Sequence, residues 1–339
     1  MPDLNTIWFV LLTLLLAGYA ILDGFDLGVG ALHLFVHEDD ERRTFLNAIG
    51  PVWDGNEVWL VTGGGALFAA FPEVYATVCS GFYLPFILLL VALIFRAVAI
   101  EFRSKHPARW WRRLWDVSFS VASIAAAFLL GIAFGNVVWG VPLDATAEYR
   151  HGLLPLLNPY ALLMGITTVA LFMMHGAIYI VLKTDGPLQA KVRGWVNRTI
   201  IAFIIAYATT TMATLVYAPH MTARLKEHPL FFVVPVLTML AIANIPREIH
   251  RNRDFAAFLS SCAAMAGLMG LFAIGVYPNL VLSNPLPAHS LNIYNAASSP
   301  KTLAIMLIIA GIGVPLVLAY TASIYYIFRG KVRLDSMSY

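Results

Sequence analysis

The chain has 339 residues, of which 60% are hydrophobic and only 12% charged, against about 25% charged in soluble domains. A composition this apolar excludes an ordinary water-soluble enzyme and calls for a bilayer as solvent, and a formal net charge of +3 leaves no footprint for nucleic acid. The two cysteines, Cys79 and Cys262, each sit inside an apolar run, which excludes a disulfide framework and any cysteine metal spacing.

Apolar segments of spanning length fall at about 7–36, 54–71, 73–102, 115–138, 157–182, 197–219, 229–246, 255–280 and 301–328. This predicts an all-α polytopic membrane protein of about nine transmembrane helices, forming a single integral membrane domain over 1–339. The first run is expected to stay in the protein: "MPDLNT" lacks the basic start of a signal peptide, and the run is too long for one. No internal repeat between the first four and next four segments is visible.

Basic residues set the orientation. Arg42 and Arg43, "RSK" (103–105), "RWWRR" (109–113), the bases between Lys183 and Arg198, those from Arg247 to Arg253, and Arg329 to Arg333 all fall on one side. Arg150, Arg224, Lys226 and Lys301 fall on the other. The positive-inside rule then places the N-terminus outside and the C-terminus in the cytoplasm. The longest polar connection, "VLSNPLPAHSLNIYNAASSP" (281–300), is expected to cap the outer face.

Several charged residues lie where lipid should exclude them. The first segment carries Asp23 and Asp26 in "GYAILDGFDLGVGAL" (18–32), three apart and therefore on one helix face. A carboxylate at that depth costs at least ~2.5 kcal/mol, which makes it a functional-site candidate. The second segment opens with "GPVWDGNEVWL" (50–60), which places Asp54 and Glu57 on one face at its inner end. The third ends in "FRAVAIEFRSK" (95–105), with Arg96 about a turn and a half above Glu101. The acids converge on the inner half of the first three segments, with Arg96 as the nearest balancing cation. Two readings stand side by side: an ion-pair network with helix-capping acids, and a proton or ion path. The Asp23 and Asp26 pair is itself divided between relaying protons and binding a small cation.

Other candidates carry less. His175 in "LFMMHGAIYI" is the one histidine deep in a span, and His33 lies near the inner end of the first. Both read as hydrogen-bonded packing, with haem ligation the competing reading for His175. Trp110, Trp111 and Trp115 beside Arg112 and Arg113 form an interfacial belt suited to anionic lipid. "TGGGAL" (62–67) lacks the Lys of a phosphate-binding loop.

The blocks "DGFDLGVGAL", "GPVWDGNEVWLVTGGGALFAAFPEVYA", "GFYLPFILLL" and "FRAVAIEFRSK" closely resemble subunit II of cytochrome bd-type quinol oxidases. The likeness continues through "RWWRRLWD", "GIAFGNVVWGVP", "LLNPYALLMGI" and "YTASIYYIFRGKV". It covers nearly the whole chain and is densest over 18–140.

The resemblance implies two four-helix bundles plus one peripheral helix, in the bacterial cytoplasmic (inner) membrane. It implies a haem-bearing subunit I as partner, which holds haem b and haem d, oxidises quinol from the quinol pool and reduces oxygen to water. It implies no haem in this chain, a structural quinone, a small single-span accessory subunit and surrounding membrane lipid. Asp54 matches the acid that the family places on a cytoplasmic proton route, and Glu101 falls where relatives are acidic. The expected route is therefore Asp54, Glu101, Asp23, Asp26 and Glu57, with Arg96 as a structural ion-pair partner. The alternative of a different class is a secondary transporter with an intramembrane acidic site, against which stands the lack of paired broken helices in corresponding halves.

Overall fold

The structure, a computed structural model, describes residues 3–334. Twelve α-helices and one two-stranded hairpin make up its regular elements among the described residues. Helix α1 (Leu4–Leu32) starts where the Asp3 carboxylate accepts the Thr6 amide at 2.7 Å, and it runs on through an apolar stretch interrupted by Asp23 and Asp26. A single 3-10 turn at His33–Phe35 ends it. Helix α2 (Asp39–Ile49) is short and amphipathic: three acids in its first turn suit the helix dipole, and Phe45, Leu46 and Ile49 are buried beneath it.

Helix α3 (Trp53–Ala70) precedes α4 (Pro72–Gly81) and α5 (Tyr83–Phe102). The segment 73–102, expected as one span, is thus two helices divided at Phe82. Pro85 has no N–H for the Gly81 carbonyl and its ring crowds that group, which favours the break at Phe82. Helix α6 (Arg109–Trp139) stops at Gly140, whose φ of +83° suits glycine. Helix α7 (Pro159–Lys183) is capped by Asn158, which accepts the Ala161 amide at 2.8 Å, with Pro159 at the first helical position. The rest follow as α8 (Gly186–Tyr217), α9 (Ala223–Glu227), α10 (Val233–His250), α11 (Asp254–Val276) and α12 (Pro300–Ile327).

Among the described residues, eight helices are long and apolar enough to cross a membrane. The ninth long helix, α3, has the 18 residues needed, but Asp54, Asn56 and Glu57 in its opening turns keep it from qualifying on composition. Helices α1, α3, α5 and α6 pack as one group and α7, α8, α10 and α11 as a second, while α12 lies outside against α1 and α3. The groups meet along α7, which packs against both α6 and α1. A Cβ placed on Gly28 would lie 1.8 Å from the Phe172 carbonyl oxygen, so the two backbones touch and this glycine has no room for a side chain.

Beyond α11, strands β1 (Asn279–Val281) and β2 (Leu291–Asn292) pair antiparallel. They sit at the end of the bundle where α1 begins and α6 ends. Val141 bridges Ser283, and Ser298 donates to the Ala69 carbonyl at 2.7 Å. Trp8, Phe71, Tyr149 and Ile293 fill the core beneath this cap; a second core around Phe25, Phe45, Phe119 and Tyr179 fills the opposite end.

Candidate functional site

The polar residues of the first helix group assemble at the end opposite the cap. Asp23 and Asp26 project from α1 about 60° apart around its axis, and that divergence sends them to different partners. Asp23 meets Arg96 of α5 in a two-pronged ion pair, Nη2 to Oδ1 at 2.6 Å and Nη1 to Oδ2 at 3.0 Å, with both side chains fully buried. Planar guanidinium and carboxylate match in this geometry. Arg96 Nη1 also donates to Oε1 of Glu57 on α3 at 2.9 Å, and Glu57 remains partly exposed.

Asp26 receives no hydrogen bond from Arg96. Its Oδ2 accepts from Asn56 Nδ2 at 2.7 Å, and its Oδ1 is buried without a hydrogen-bond partner. Asn56 Nδ2 also donates to the Leu22 carbonyl at 3.2 Å, and Asn56 Oδ1 accepts the Tyr325 hydroxyl of α12 at 2.9 Å. The Tyr19 hydroxyl, one turn before Asp23, is buried and likewise unpartnered.

The structure therefore brings together Asp23, Glu57 and Arg96, and sets Asp26 beside them on its own amide. It does not bring in the other two expected acids. Asp54 is exposed on the outer side of α3, one turn from Glu57. Glu101 is half-buried five residues beyond Arg96, about 140° around α5, and is not one of the carboxylates that pair with that guanidinium.

A second buried network lies at the same end of the molecule, and the sequence reading missed it. Asp116 on α6 accepts from His33 Nε2 at 2.6 Å, Arg42 Nη1 at 2.7 Å and Arg103 Nε at 2.6 Å. Arg103 Nη2 reaches on to Asp39 at 2.7 Å, which also holds Arg112 at 2.9 Å. Asp116 sits in "RRLWD", a lone acid among bases at a span entrance. Its isolation there was the available signal. His33, expected as hydrogen-bonded packing, is buried and makes one of these bonds.

His175 has both ring nitrogens engaged. Nε2 faces the Ile21 carbonyl at 3.0 Å and must donate to it, and Nδ1 lies 2.8 Å from the Ser261 hydroxyl, which also reaches the Phe258 carbonyl at 2.7 Å. No nitrogen of this ring is open to a haem iron. Among the described residues, no group of three or more His, Cys, Asp or Glu side chains could hold a metal. An apolar cavity of about 560 Å³ opens between α1, α6, α7 and α8, walled by Leu32, Phe128, Val169 and Met173, with Trp195 and Arg198 at one edge.

This arrangement can be set against known proteins. The family model for cytochrome bd terminal oxidase subunit II matches residues 4–328. Cytochrome bd ubiquinol oxidase subunit 2 of Bacillus subtilis (strain 168) is 36% identical over 336 residues, covering 98% of each chain. Cytochrome bd-I ubiquinol oxidase subunit 2 of Escherichia coli (strain K12) is 33% identical over 365 residues, covering 98% of this chain and 96% of that protein. A chain of the bd oxidase structure from Geobacillus thermodenitrificans shares the fold, with a TM-score of 0.79 at 18% identity, covering 96% of this chain and 98% of that one. The match extends from the first helix to the last, and with it the transporter alternative falls away: the chain belongs to the cytochrome bd terminal oxidase subunit II family.

Proposed function

We propose that this chain is the haem-free subunit II of a bd-type quinol:oxygen oxidoreductase, a single membrane domain in the bacterial cytoplasmic membrane with its N-terminus outside and its C-terminus inside. It supports a haem-bearing subunit I and supplies a cytoplasmic-side proton route to the site of oxygen reduction. Oxygen and quinol chemistry belong to the partner's haems. What this chain's own residues offer is a graded series of acids.

One observation carries the reading. A buried guanidinium, Arg96, gathers Asp23 and Glu57 at the basic end of the bundle, and Glu57 is partly exposed one turn from exposed Asp54. A proton entering at Asp54 or Glu57 therefore has a chain of acceptors leading inward to α1. Buried acids in a low dielectric are suited to such exchange. Glu101 is kept as an entry acid at the same end.

The outward faces of α3, α5 and α12 are proposed to dock subunit I. Val61 is 74% exposed, Ile94 58% and Leu316 67%. Asp54 shares this side of α3, where a polar protein surface suits a carboxylate better than lipid does. The 560 Å³ cavity offers apolar walls for the tail of a structural quinone, with Trp195, Arg198 and Thr199 for its head.

The test is Asp54→Asn and Glu57→Gln in the purified two-subunit oxidase. Oxygen-linked proton uptake and turnover should fall at least tenfold for one of the two, with haem content unchanged. Full turnover and uptake in both variants would overturn the route. Haem absorbance that stays with this chain after subunit I is removed would overturn the haem-free assignment.

A further inference from the structure

The three carboxyls of this cluster are not equivalent. With Asp23 and Glu57 ionised on Arg96, the site already has one negative charge in excess, and a third buried carboxylate would add another with no second cation in contact. Asp26 is the group outside the ion pair: one oxygen takes a single amide N–H and the other is buried without any donor. A carboxylate can only accept hydrogen bonds, whereas a carboxylic acid carries its own hydrogen. Burying an unpaired charge is far costlier than burying the neutral acid.

The amide beside Asp26 has a forced orientation. The Leu22 carbonyl can only accept, so the Asn56 atom facing it is Nδ2, and that same Nδ2 faces Asp26. Oδ1 is then left for the Tyr325 hydroxyl, which must donate. Tyr325 belongs to α12, which is otherwise almost wholly exposed and has only Leu303 buried. The groups facing this corner are Asp23 and Tyr19 on α1, Glu57 on α3, Arg96 on α5, Tyr179 on α7 and Tyr325 on α12, with Cys262 of α11 near Tyr325.

We infer that Asp26 is the carboxyl holding the exchangeable proton of this cluster, that Asp23 is the fixed counter-ion of Arg96, and that Tyr325 is a positioning residue that acts on Asp26 through Asn56. The inference rests on the proton-route reading above. Protonated on Oδ1, Asp26 is neutral; when the proton passes to the next acceptor, the carboxylate left behind keeps the Asn56 N–H on Oδ2. Loss of the Tyr325 hydroxyl leaves Asn56 Oδ1 without its donor, so the amide is held by the Leu22 carbonyl alone and its N–H is set less firmly on Asp26.

The experiment is infrared difference spectroscopy of the purified two-subunit oxidase in H₂O and D₂O, in the carbonyl-stretch region of protonated carboxylic acids. A D₂O-sensitive band is expected in the unaltered complex, lost in Asp26→Asn and displaced in Tyr325→Phe, whose turnover-against-pH profile shifts with it. A band that persists unchanged in Asp26→Asn overturns the assignment. A band and profile unmoved in Tyr325→Phe overturn the positioning role. If Asp26→Asn does not assemble, Tyr325→Phe decides, since it removes one hydroxyl from a half-buried side chain: displacement upholds the inference and an unmoved band overturns it. Loss of the band in Asp26→Asn with proton uptake undiminished upholds Asp26 as the proton holder and overturns the route itself.

Discussion

Two buried ion-pair networks hang from α1 and the turn that ends it, at Asp23 and His33, about 15 Å apart along the axis, and their charge ratios are opposite. Around Arg96, two carboxylates share one guanidinium, and a third carboxyl, Asp26, lies beside them on an amide. Around Asp116, two carboxylates face three guanidinia and an imidazole, and both oxygens of Asp116 are taken. Excess cation fixes a carboxylate in its ionised form and leaves it nothing to exchange. Excess acid leaves at least one group able to carry a proton. The Asp116 network also joins four segments, the turn after α1, α2, the turn after α5, and the start of α6 by way of both Arg112 and Asp116, so it acts as a fastening. Similar side chains thus do different work, and their stoichiometry distinguishes them.

The largest effect should come from removing the sole cation of the acid-rich network. Arg96→Met leaves Asp23 fully buried and unpaired, at a cost of about 3–5 kcal/mol, the usual range when one partner of a buried pair is deleted. Assembled oxidase should be nearly absent from detergent extracts. The double variant Arg96→Met with Asp23→Asn should restore part of the yield, because it removes the stranded charge as well. Equal loss in single and double variants would show that Arg96 acts by packing rather than by charge.

Asp116→Asn should cost less, about 1.5–3 kcal/mol for hydrogen bonds to charged groups. Arg103 keeps Asp39, and Arg42 keeps the Val36 carbonyl. The expected outcome is a complex that assembles with a lower Tm and an α2 more open to proteolysis, with the pH dependence of turnover unchanged. A shifted pH profile would show that this network too handles protons and would erase the contrast between the two.

The same contrast shows how far the sequence could be read. Asp23, Asp26, Glu57 and Arg96 were legible because a charge inside a long apolar run violates the composition of everything around it. Asp116 gives only a weak signal: a lone acid at the end of a tract of tryptophan and arginine, it resembles an ordinary interfacial acid, and packing is what reveals that it is buried. Asn56 and Tyr325 are neutral and leave no mark on hydropathy, although they decide what Asp26 touches. Asp54 and Glu57 share a helix face by spacing, yet a 60° offset is enough to leave one outside while the other reaches Arg96. The helix count was close. The break at Phe82 was not foreseen, because Pro85 sits within an otherwise apolar run where proline can also be tolerated in a helix.

Asp39→Ala probes the rim of the Asp116 network, where Asp39 is 42% exposed. Its bonds to Arg103 and Arg112 are short, but solvent screens them, and exposed pairs are worth about 0.2–1 kcal/mol. The Tm should fall by no more than a degree or two for a protein this large, and less at high salt. A drop as large as that of Asp116→Asn would mean that Asp39, not Asp116, holds the fastening together.

The smallest effect expected is at an acid hub in water, which sharpens the comparison by removing burial from it. Asp144, in the cap between α6 and α7, accepts the Thr146 hydroxyl at 2.7 Å and the amides of Thr146 and Glu148, with Arg150 at 3.1 Å. The Thr146 hydroxyl foremost, then these amides and the Arg150 charge, hold its carboxyl down to about 2 against an ordinary value of 3.8. A depressed folded value contributes stability that is complete above 3.8 and is lost as the pH falls toward 2. Amide exchange at Thr146 and Glu148, followed from pH 5 downward, should therefore stay protected past pH 4 and rise across that window. Asp144→Asn keeps an acceptor oxygen but cannot titrate, so its exchange should show no such acid transition. The same transition in the Asn variant would assign it to another group. A carboxylate with as many donors as Asp116 would then owe little to them once water surrounds it, which is the difference that burial makes at Asp116 and Arg96.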